Sequence, residues 1–316
     1  MKKLNFAVIG VGGYIAPRHL KAIKETHNDV IVAMDKNDSV GIMDTYFPEA
    51  DFFTEFERFE RHCEKLRREK KQIDVVTVCT PNYLHDAHIR FGLRIGADVL
   101  CEKPIVLNPW NIKALQEVEQ ESGKKVYTIL QLRYHQVIKT LKEKIARENS
   151  TKKYDVDLTY ITPRGSWYFH SWKADELKSG GIATNIGIHF FDMLLWVFGK
   201  LVKIEVHYKG AKKMIGYLEL EKARIRWFLS LDKNDLPKEK FETNKPFRSI
   251  KINNEELEFS EGFADLHTIV YNETLNGNGF GLEDALPSVE LVHAIRNAPV
   301  ITPSEKVFAH TALKKM

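Results

Sequence analysis

The chain has 316 residues, 43% hydrophobic and 28% charged, which is the composition of a globular protein long enough for two domains. Its 47 basic and 43 acidic residues leave a net charge of +4, too balanced for a nucleic-acid surface and compatible with an anionic small substrate. Three cysteines, Cys63, Cys79 and Cys101, are odd in number and lack paired spacing, which argues against a disulfide frame or a metal site and for a reducing compartment.

Met1-Lys2-Lys3 precedes an apolar run too short for a signal peptide. The longest apolar stretch, Phe190 to Phe198, contains Asp192 and falls short of a membrane span. A cytoplasmic protein without membrane or nucleic-acid partners is expected.

Leu4 to Ile9 reads as a buried strand, Gly10-Val11-Gly12-Gly13 as a turn, Ile15 to Lys24 as a helix, and Val30 to Met34 as a second strand ending at Asp35. This is the strand–glycine turn–helix–strand–acid order of a dinucleotide site. The glycines let the main chain approach a pyrophosphate, and the helix N-terminus offers free N–H groups to it. Gly10, Gly12, Gly13, Tyr14 and Ile15 are the candidate phosphate contacts. Asp35 is placed to bind both adenosine ribose hydroxyls and would repel a 2′-phosphate, so NAD is expected over NADP. The strict third glycine position holds Ile15, a departure from the fingerprint.

Residues 55–71 place Phe56, Phe59, Cys63 and Leu66 at helical spacing among charges, a covering helix. Ile73 to Cys79 is the next strand. Thr80-Pro81-Asn82 then leads into a helix, with Thr80 and Asn82 as candidates for the nicotinamide ribose or phosphate and His85 in a supporting role. Asp98 to Cys101 is a strand running into Glu102-Lys103-Pro104. That turn would sit at the carboxyl edge of a parallel sheet, where such sheets bind ligands. A lysine there can exchange a proton with a substrate hydroxyl, and Glu102 would point toward the ribose. Pro109, Trp110 to Ser122 and Gly123 make another helix with its cap. Lys125 to Leu132 is a further strand, and Gln131 near its end is a cofactor candidate. The pattern is a Rossmann-type, doubly wound parallel α/β sheet over residues 1–130.

Residues 131–316 have a different texture, that of an α+β substrate and oligomerisation domain. After a helix over Val137 to Arg147 come strand-like runs: Asp155 to Thr162, Val202 to Tyr208, Lys213 to Leu220, Arg224 to Leu231, Phe247 to Ile252 and Glu255 to Phe259. Their short turns predict a mostly antiparallel sheet. Arg164 to Lys173 packs four aromatics and three potential cations into ten residues, which suits a base, a sugar ring and a diphosphate. Gly180-Gly181 opens an apparent helix on which Asn185, His189 and Asp192 fall at i, i+4 and i+7. No cysteine or carboxylate set completes a metal site there.

Glycine turn, Thr80-Pro81-Asn82 with His85, Glu102-Lys103-Pro104, Gly187-Ile188-His189-Phe190-Phe191-Asp192 and the helix from Leu282 to Arg296 together resemble the Gfo/Idh/MocA oxidoreductase family. Where the family usually has an aspartate four residues before the histidine, this chain has Asn185, which cannot act as a base. Three further stretches are similar to members that oxidise the C3 hydroxyl of a UDP-linked sugar acid with NAD, in lipopolysaccharide O-antigen sugar synthesis. They are Gly13 to His19, Arg164 to Tyr168 and Asn276 to Gly281. Some of those members recycle NADH on 2-oxoglutarate and form tetramers through the sheet.

The resemblance implies a dehydrogenase in which Lys103 takes the hydroxyl proton, His189 hydrogen-bonds the reacting oxygen and Asn185 orients a hydroxyl or the lysine. Arg164, and Arg133 more weakly, would hold the carboxylate or diphosphate. Trp167, Tyr168, Trp172 and Lys173 would line the substrate and nicotinamide cleft. A homotetramer or homodimer is expected. The alternatives are a dehydrogenase of a free polyol and a non-catalytic NAD-binding regulator.

Overall fold

The computed structural model describes residues 3–148, 152–242, 245–257 and 265–315. They form two compact units, Met1–Gln131 with Ala264–Leu286, and Leu132–Phe263 with Pro287–Met316.

The first unit is built on six parallel strands: β1 Asn5–Ile9, β2 Asp29–Met34, β3 Asp51–Phe53, β4 Val75–Val78, β5 Asp98–Cys101 and β6 Val126–Thr128. Their order is β3-β2-β1-β4-β5-β6. Val75–Val78 is buried at every position, as a parallel sheet covered on both faces requires. The covering helices are amphipathic. Phe56–Arg68 turns Phe59, Cys63 and Leu66 inward, and Ala16–Glu25 buries Ala16, His19, Leu20 and Ile23.

The chain order reverses between β1 and β4, which makes a crevice at their carboxyl ends. Between residues 1 and 130 the short helix Ile42–Tyr46 and the edge strand β3 escaped the sequence reading. Strand β6 is also shorter than the expected Lys125 to Leu132. It pairs with only three residues of β5 and ends where β5 turns into Glu102-Lys103-Pro104, so the chain goes into a 3-10 turn, Gln131–Tyr134.

Residues 131–316 are not one continuous body. The segment Ala264–Leu286 belongs to the first unit. Its helix Leu266–Glu273 buries Leu266, His267, Val270 and Tyr271, and the carbonyl of Phe280 accepts the Thr128 N–H at 2.9 Å beside β6.

The second unit holds a sheet of β7 Tyr154–Ile161, β8 Leu201–Lys209, β9 Lys213–Leu220, β10 Ala223–Ser230, β11 Phe247–Ile252 and β12 Glu255–Glu256. The order is β12-β11-β7-β10-β9-β8. Short turns make β8, β9 and β10 an antiparallel meander. Strand β7 lies parallel to β10, because the chain between them crosses back through helices. The expected run to Phe259 lies partly outside the described residues.

The helix after Gly180-Gly181 is interrupted. A π segment, Ala183–Gly187, precedes the α-helix Ile188–Phe198. A Cβ on Gly187 would stand 2.7 Å from both Leu229 Cδ1 and Phe191 Cε2, so the missing side chain lets the helix lie close on the sheet. Phe191 meets Trp227 edge-on at 5.4 Å. The helical run Glu176–Phe198 reaches 23 residues, beyond the apolar stretch read from sequence, but 78% of its apolar window is buried, the mark of a core helix.

In this helix Asp192 binds Arg133 through two charge-assisted hydrogen bonds, at 2.7 and 2.9 Å. Both side chains are almost fully buried, 2% and 6% exposed. Removing one member of a buried pair strands the other charge. Asp192→Ala is therefore expected to lower the unfolding free energy by about 3–5 kcal/mol, measured by denaturant titration. A loss below about 1 kcal/mol, the surface-pair range, would contradict this account.

Candidate functional site: a dinucleotide crevice and an aromatic–cation cluster

In the first unit the glycine turn fits a dinucleotide. Gly10 has φ +89°, and a Cβ there would stand 2.8 Å from the backbone of Cys79 and Thr80, so only glycine lets β1 and β4 approach. The Gly13 N–H donates to the Gly10 carbonyl at 3.0 Å and closes the turn. The helix Ala16–Glu25 starts without a side-chain cap and without an acid in its first turn, which leaves its dipole end free of competing anions. Tyr14 stands on this turn, 87% exposed, and Ile15 is the N-cap residue.

Asp35 is buried at the end of β2. Its Oδ2 accepts the Gly12 N–H at 2.9 Å, and its Oδ1 accepts the Asn37 main-chain N–H at 2.9 Å. An ionised carboxylate has about four acceptor positions, so Oδ2 keeps capacity for a ribose hydroxyl. These residues fit NAD.

Thr80 and Asn82 are buried at the end of β4. The Thr80 hydroxyl pairs with His88 Nδ1 at 3.0 Å, so it is already engaged. His85 is fully buried, with Nδ1 2.7 Å from the Pro104 carbonyl and Nε2 2.9 Å from the Thr80 carbonyl. Burial lowers its pKa against the pull of both carbonyls. His85 thus latches the Thr80 loop to the Glu102-Lys103-Pro104 turn, whose Lys103–Pro104 peptide is cis. The supporting role read from sequence becomes a structural one. Lys103 itself is half-buried. Gln131 is half-buried at the start of the 3-10 turn.

Glu102 does not reach outward to a ribose. Its Oε1 lies 2.9 Å from His19 Nε2 and 3.1 Å from His267 Nε2, and its Oε2 accepts the Lys103 N–H at 3.2 Å. Burial pushes its pKa up, but the histidine hydrogen bonds outweigh this and hold it well below the usual carboxylate range. His19 is pushed down by its own burial, so it holds Glu102 as a neutral N–H donor.

In the second unit the aromatic stretch meets Asn185 through Tyr168. Asn185 Nδ2 donates to the Tyr168 hydroxyl at 3.0 Å. The Arg164 guanidinium stands 5.9 Å from the Tyr168 ring, and Lys173 Nζ stands 4.4 Å from the Trp172 ring and 5.7 Å from that of Trp167. Burial, then Arg164, lowers the Lys173 pKa. Tyr168 and Lys173 line a small cleft together with Glu176, Gly180, Gly181, Lys209 and Arg296.

His189 is half-buried in the first turn of Ile188–Phe198. The π turn before it displaces Asn185 from the simple i, i+4, i+7 stripe, and Asn185 and Asp192 bind different partners. Arg133, expected to meet a substrate anion, is instead held in the bidentate pair with Asp192.

Sequence reasoning missed His19, His88, His267 and Tyr271. The signal was present for the first: His19 occupies a core position of an amphipathic helix, with Ala16, Leu20 and Ile23.

Such a crevice in one unit, in a chain that also carries a second α/β unit, defines a two-domain, dinucleotide-dependent oxidoreductase. Residues 4–130 match the oxidoreductase family profile for an NAD-binding Rossmann fold, and residues 142–236 match that family's C-terminal alpha/beta domain. The chain belongs to the Gfo/Idh/MocA oxidoreductase family.

Among solved structures it is similar to the WlbA (WbpB) dehydrogenase of Thermus thermophilus in complex with NAD and UDP-GlcNAcA. Identity is 48% over 98% of this chain and 99% of that one, with TM-score 0.93. The same enzyme with NAD and alpha-ketoglutarate gives 49% identity over 96% and 98%, with TM-score 0.92. Among curated relatives it is 27% identical to the putative oxidoreductase YteT of Bacillus subtilis, over 62% of this chain and 46% of that protein. It is 28% identical to D-glucoside 3-dehydrogenase of Escherichia coli, over 40% and 36%. The alignments thus span less than half the length of these two curated relatives.

Gly10→Ala is expected to weaken NAD binding roughly tenfold or more and to lower thermal stability, since the added Cβ meets main chain at 2.8 Å. Calorimetric titration with NAD checks this, and wild-type affinity would refute the contact.

A second expectation concerns pH. Burial, then His85, lowers the His88 pKa to about 4, against 6.5 when exposed. The unfolded chain therefore takes up a proton below pH 6.5 that the native state refuses until about pH 4, and stability falls as pH drops through this window. His88 alone should contribute up to about 3 kcal/mol of that fall, so His88→Gln should flatten the slope in unfolding experiments run from pH 7 to 4.

Proposed function

We infer that the protein is an NAD-dependent sugar dehydrogenase that oxidises the C3 hydroxyl of a UDP-linked sugar acid, UDP-GlcNAcA. The observation that carries this reading is 48% identity along 98% of the chain with an enzyme crystallised with NAD and that sugar nucleotide. The glycine turn and Asp35 support NAD as the cofactor. Arg164, Trp167, Tyr168, Trp172 and Lys173 supply aromatic faces and cations of the kind a nucleotide diphosphate sugar needs. A free polyol needs no such surface.

Bound NAD supplies the acceptor for the hydride from C3. Lys103, as neutral amine, takes the hydroxyl proton and becomes ammonium, so that with the hydride passed to NAD the secondary alcohol becomes a ketone with no further reactant. His189 hydrogen-bonds the substrate oxygen. Asn185, lacking acid–base capacity, orients the substrate or its neighbours through its amide, and its bond to Tyr168 supports that role. The proton chemistry rests on Lys103.

We also propose that the NADH is reoxidised on 2-oxoglutarate, a reading supported by the neighbour crystallised with NAD and alpha-ketoglutarate. The chemistry suits the sugar nucleotides of lipopolysaccharide O-antigen synthesis. A cytoplasmic homotetramer or homodimer is the matching assembly, and the three buried free thiols agree with a reducing compartment.

Lys103→Ala should retain NAD binding and lose turnover of UDP-GlcNAcA by about 100-fold or more. NADH formation and cofactor titration check the two parts separately. Wild-type turnover in that variant would remove Lys103 from the mechanism. Absence of NADH formation by the wild type with UDP-GlcNAcA, alongside oxidation of an inositol, would overturn the substrate reading.

A further inference from the structure

A buried polar chain lies behind Lys103 in the first unit, and the mechanism above does not use it. Helix Ala16–Glu25 contributes His19, helix Leu266–Glu273 contributes His267 and Tyr271, β4 contributes Thr77, and the end of β5 leads into Glu102. His19, Thr77 and Tyr271 are fully buried, His267 is 3% exposed and Glu102 is 7% exposed. Besides the two histidine contacts to Glu102 Oε1, His19 Nδ1 lies 2.8 Å from the Tyr271 hydroxyl, and that oxygen lies 3.0 Å from Thr77 Oγ1.

Counting protons fixes the direction of these bonds. An ionised carboxylate only accepts, so both Nε2 atoms must carry hydrogen. A neutral His19 then accepts at Nδ1, and Tyr271 must donate to it. The Tyr271 oxygen in turn accepts from Thr77. Donation runs Thr77 to Tyr271 to His19 to Glu102. The other His19 tautomer would turn a lone pair toward a buried carboxylate, which low dielectric makes costly.

We propose that His19, His267 and Tyr271 are positioning residues that hold Glu102 as a fixed buried anion beside the Lys103 turn, and that this anion sets the proton affinity of the Lys103 amine. The inference rests on Lys103 being the base. The groups facing Glu102 are His19 and, next to it, Arg18 from the first helix, His267 and Tyr271 from Leu266–Glu273, Cys79 and Cys101 from the strands, His85 from the latched loop, with Lys103 beside it, and the main-chain N–H of Lys103. Burial keeps both thiols and the Tyr271 phenol protonated and uncharged. The anion raises the lysine pKa. The acid limb of turnover, where Lys103 must lose its proton, therefore lies at higher pH than it would beside a neutral side chain.

Glu102→Gln keeps the shape and removes the charge, so the acid limb of kcat should move to lower pH by about half a unit or more. Tyr271→Phe keeps the buried ring and removes the donor to His19, so it should move the limb the same way by less. The profiles are recorded with NAD and UDP-GlcNAcA for wild type, both variants and the residual activity of Lys103→Ala, with thermal unfolding in parallel. If Lys103→Ala retains the limb, the assignment of the base has failed. If the limb is lost in Lys103→Ala yet stays at its wild-type position in folded Glu102→Gln or Tyr271→Phe, the positioning role is overturned and the cluster is structural only.

Discussion

The constraint on which the first unit depends is the approach of β1 to β4 at their carboxyl ends. The parallel order turns outward in both directions from this pair, so no helix covers the point between them. Gly10 touches the backbone of Cys79 and Thr80 at a distance that excludes any side chain. One glycine therefore brings together the phosphate turn, the Asp35 carboxylate bound to it through Gly12, and the Thr80 loop. From Thr80 the connection continues through the His85 ring to the Pro104 carbonyl. The lysine turn is thus held at a set distance from the crevice by hydrogen bonds of one imidazole, and both anchors are main-chain atoms that substitution cannot remove.

Much of this was legible in the residues. Strands buried on both faces appear as unbroken apolar runs, and the glycine turn and Asp35 lie between them in the required order. The short edge strand β3 was not legible, because three residues carry too little period to separate them from a loop. Nor was the early end of β6. Val126 to Leu132 is largely apolar, and only the length of β5 beside it decides where the ladder stops. The return of Ala264–Leu286 to the first unit is a tertiary fact, set by a carbonyl bond to Thr128 and by buried side chains distant in sequence.

The second unit shows where spacing misleads. The positions of Asn185, His189 and Asp192 assume a uniform α-helix, whereas the backbone widens into a π turn over Ala183–Gly187. Sequence carries little sign of such a turn beyond the glycine that ends it. The aromatic stretch was legible as a cluster because its members are consecutive and their convergence needs only one turn of chain. Arg133 was misread for a general reason: an arginine's reach identifies it as an anion binder, but nothing local reveals that Asp192, 59 residues away, is the anion.

Three histidines of the first unit follow one rule. His19, His85 and His88 are buried and shifted toward the neutral form, and a neutral imidazole is both donor and acceptor on a rigid ring. The base proposed above, Lys103, needs fixed charge nearby, but it gains nothing from neighbours that titrate in the same range. Neutral imidazoles meet both requirements. At His19 the single N–H satisfies the Glu102 carboxylate without adding a positive charge that would compete with the lysine. A lysine or arginine in place of His19 would pair with Glu102 and cancel its field. An apolar residue would leave the carboxylate without donors, and it would then be protonated. Histidine at a core position of the first helix looks anomalous in an amphipathic pattern, yet it is the side chain that keeps Glu102 both buried and charged.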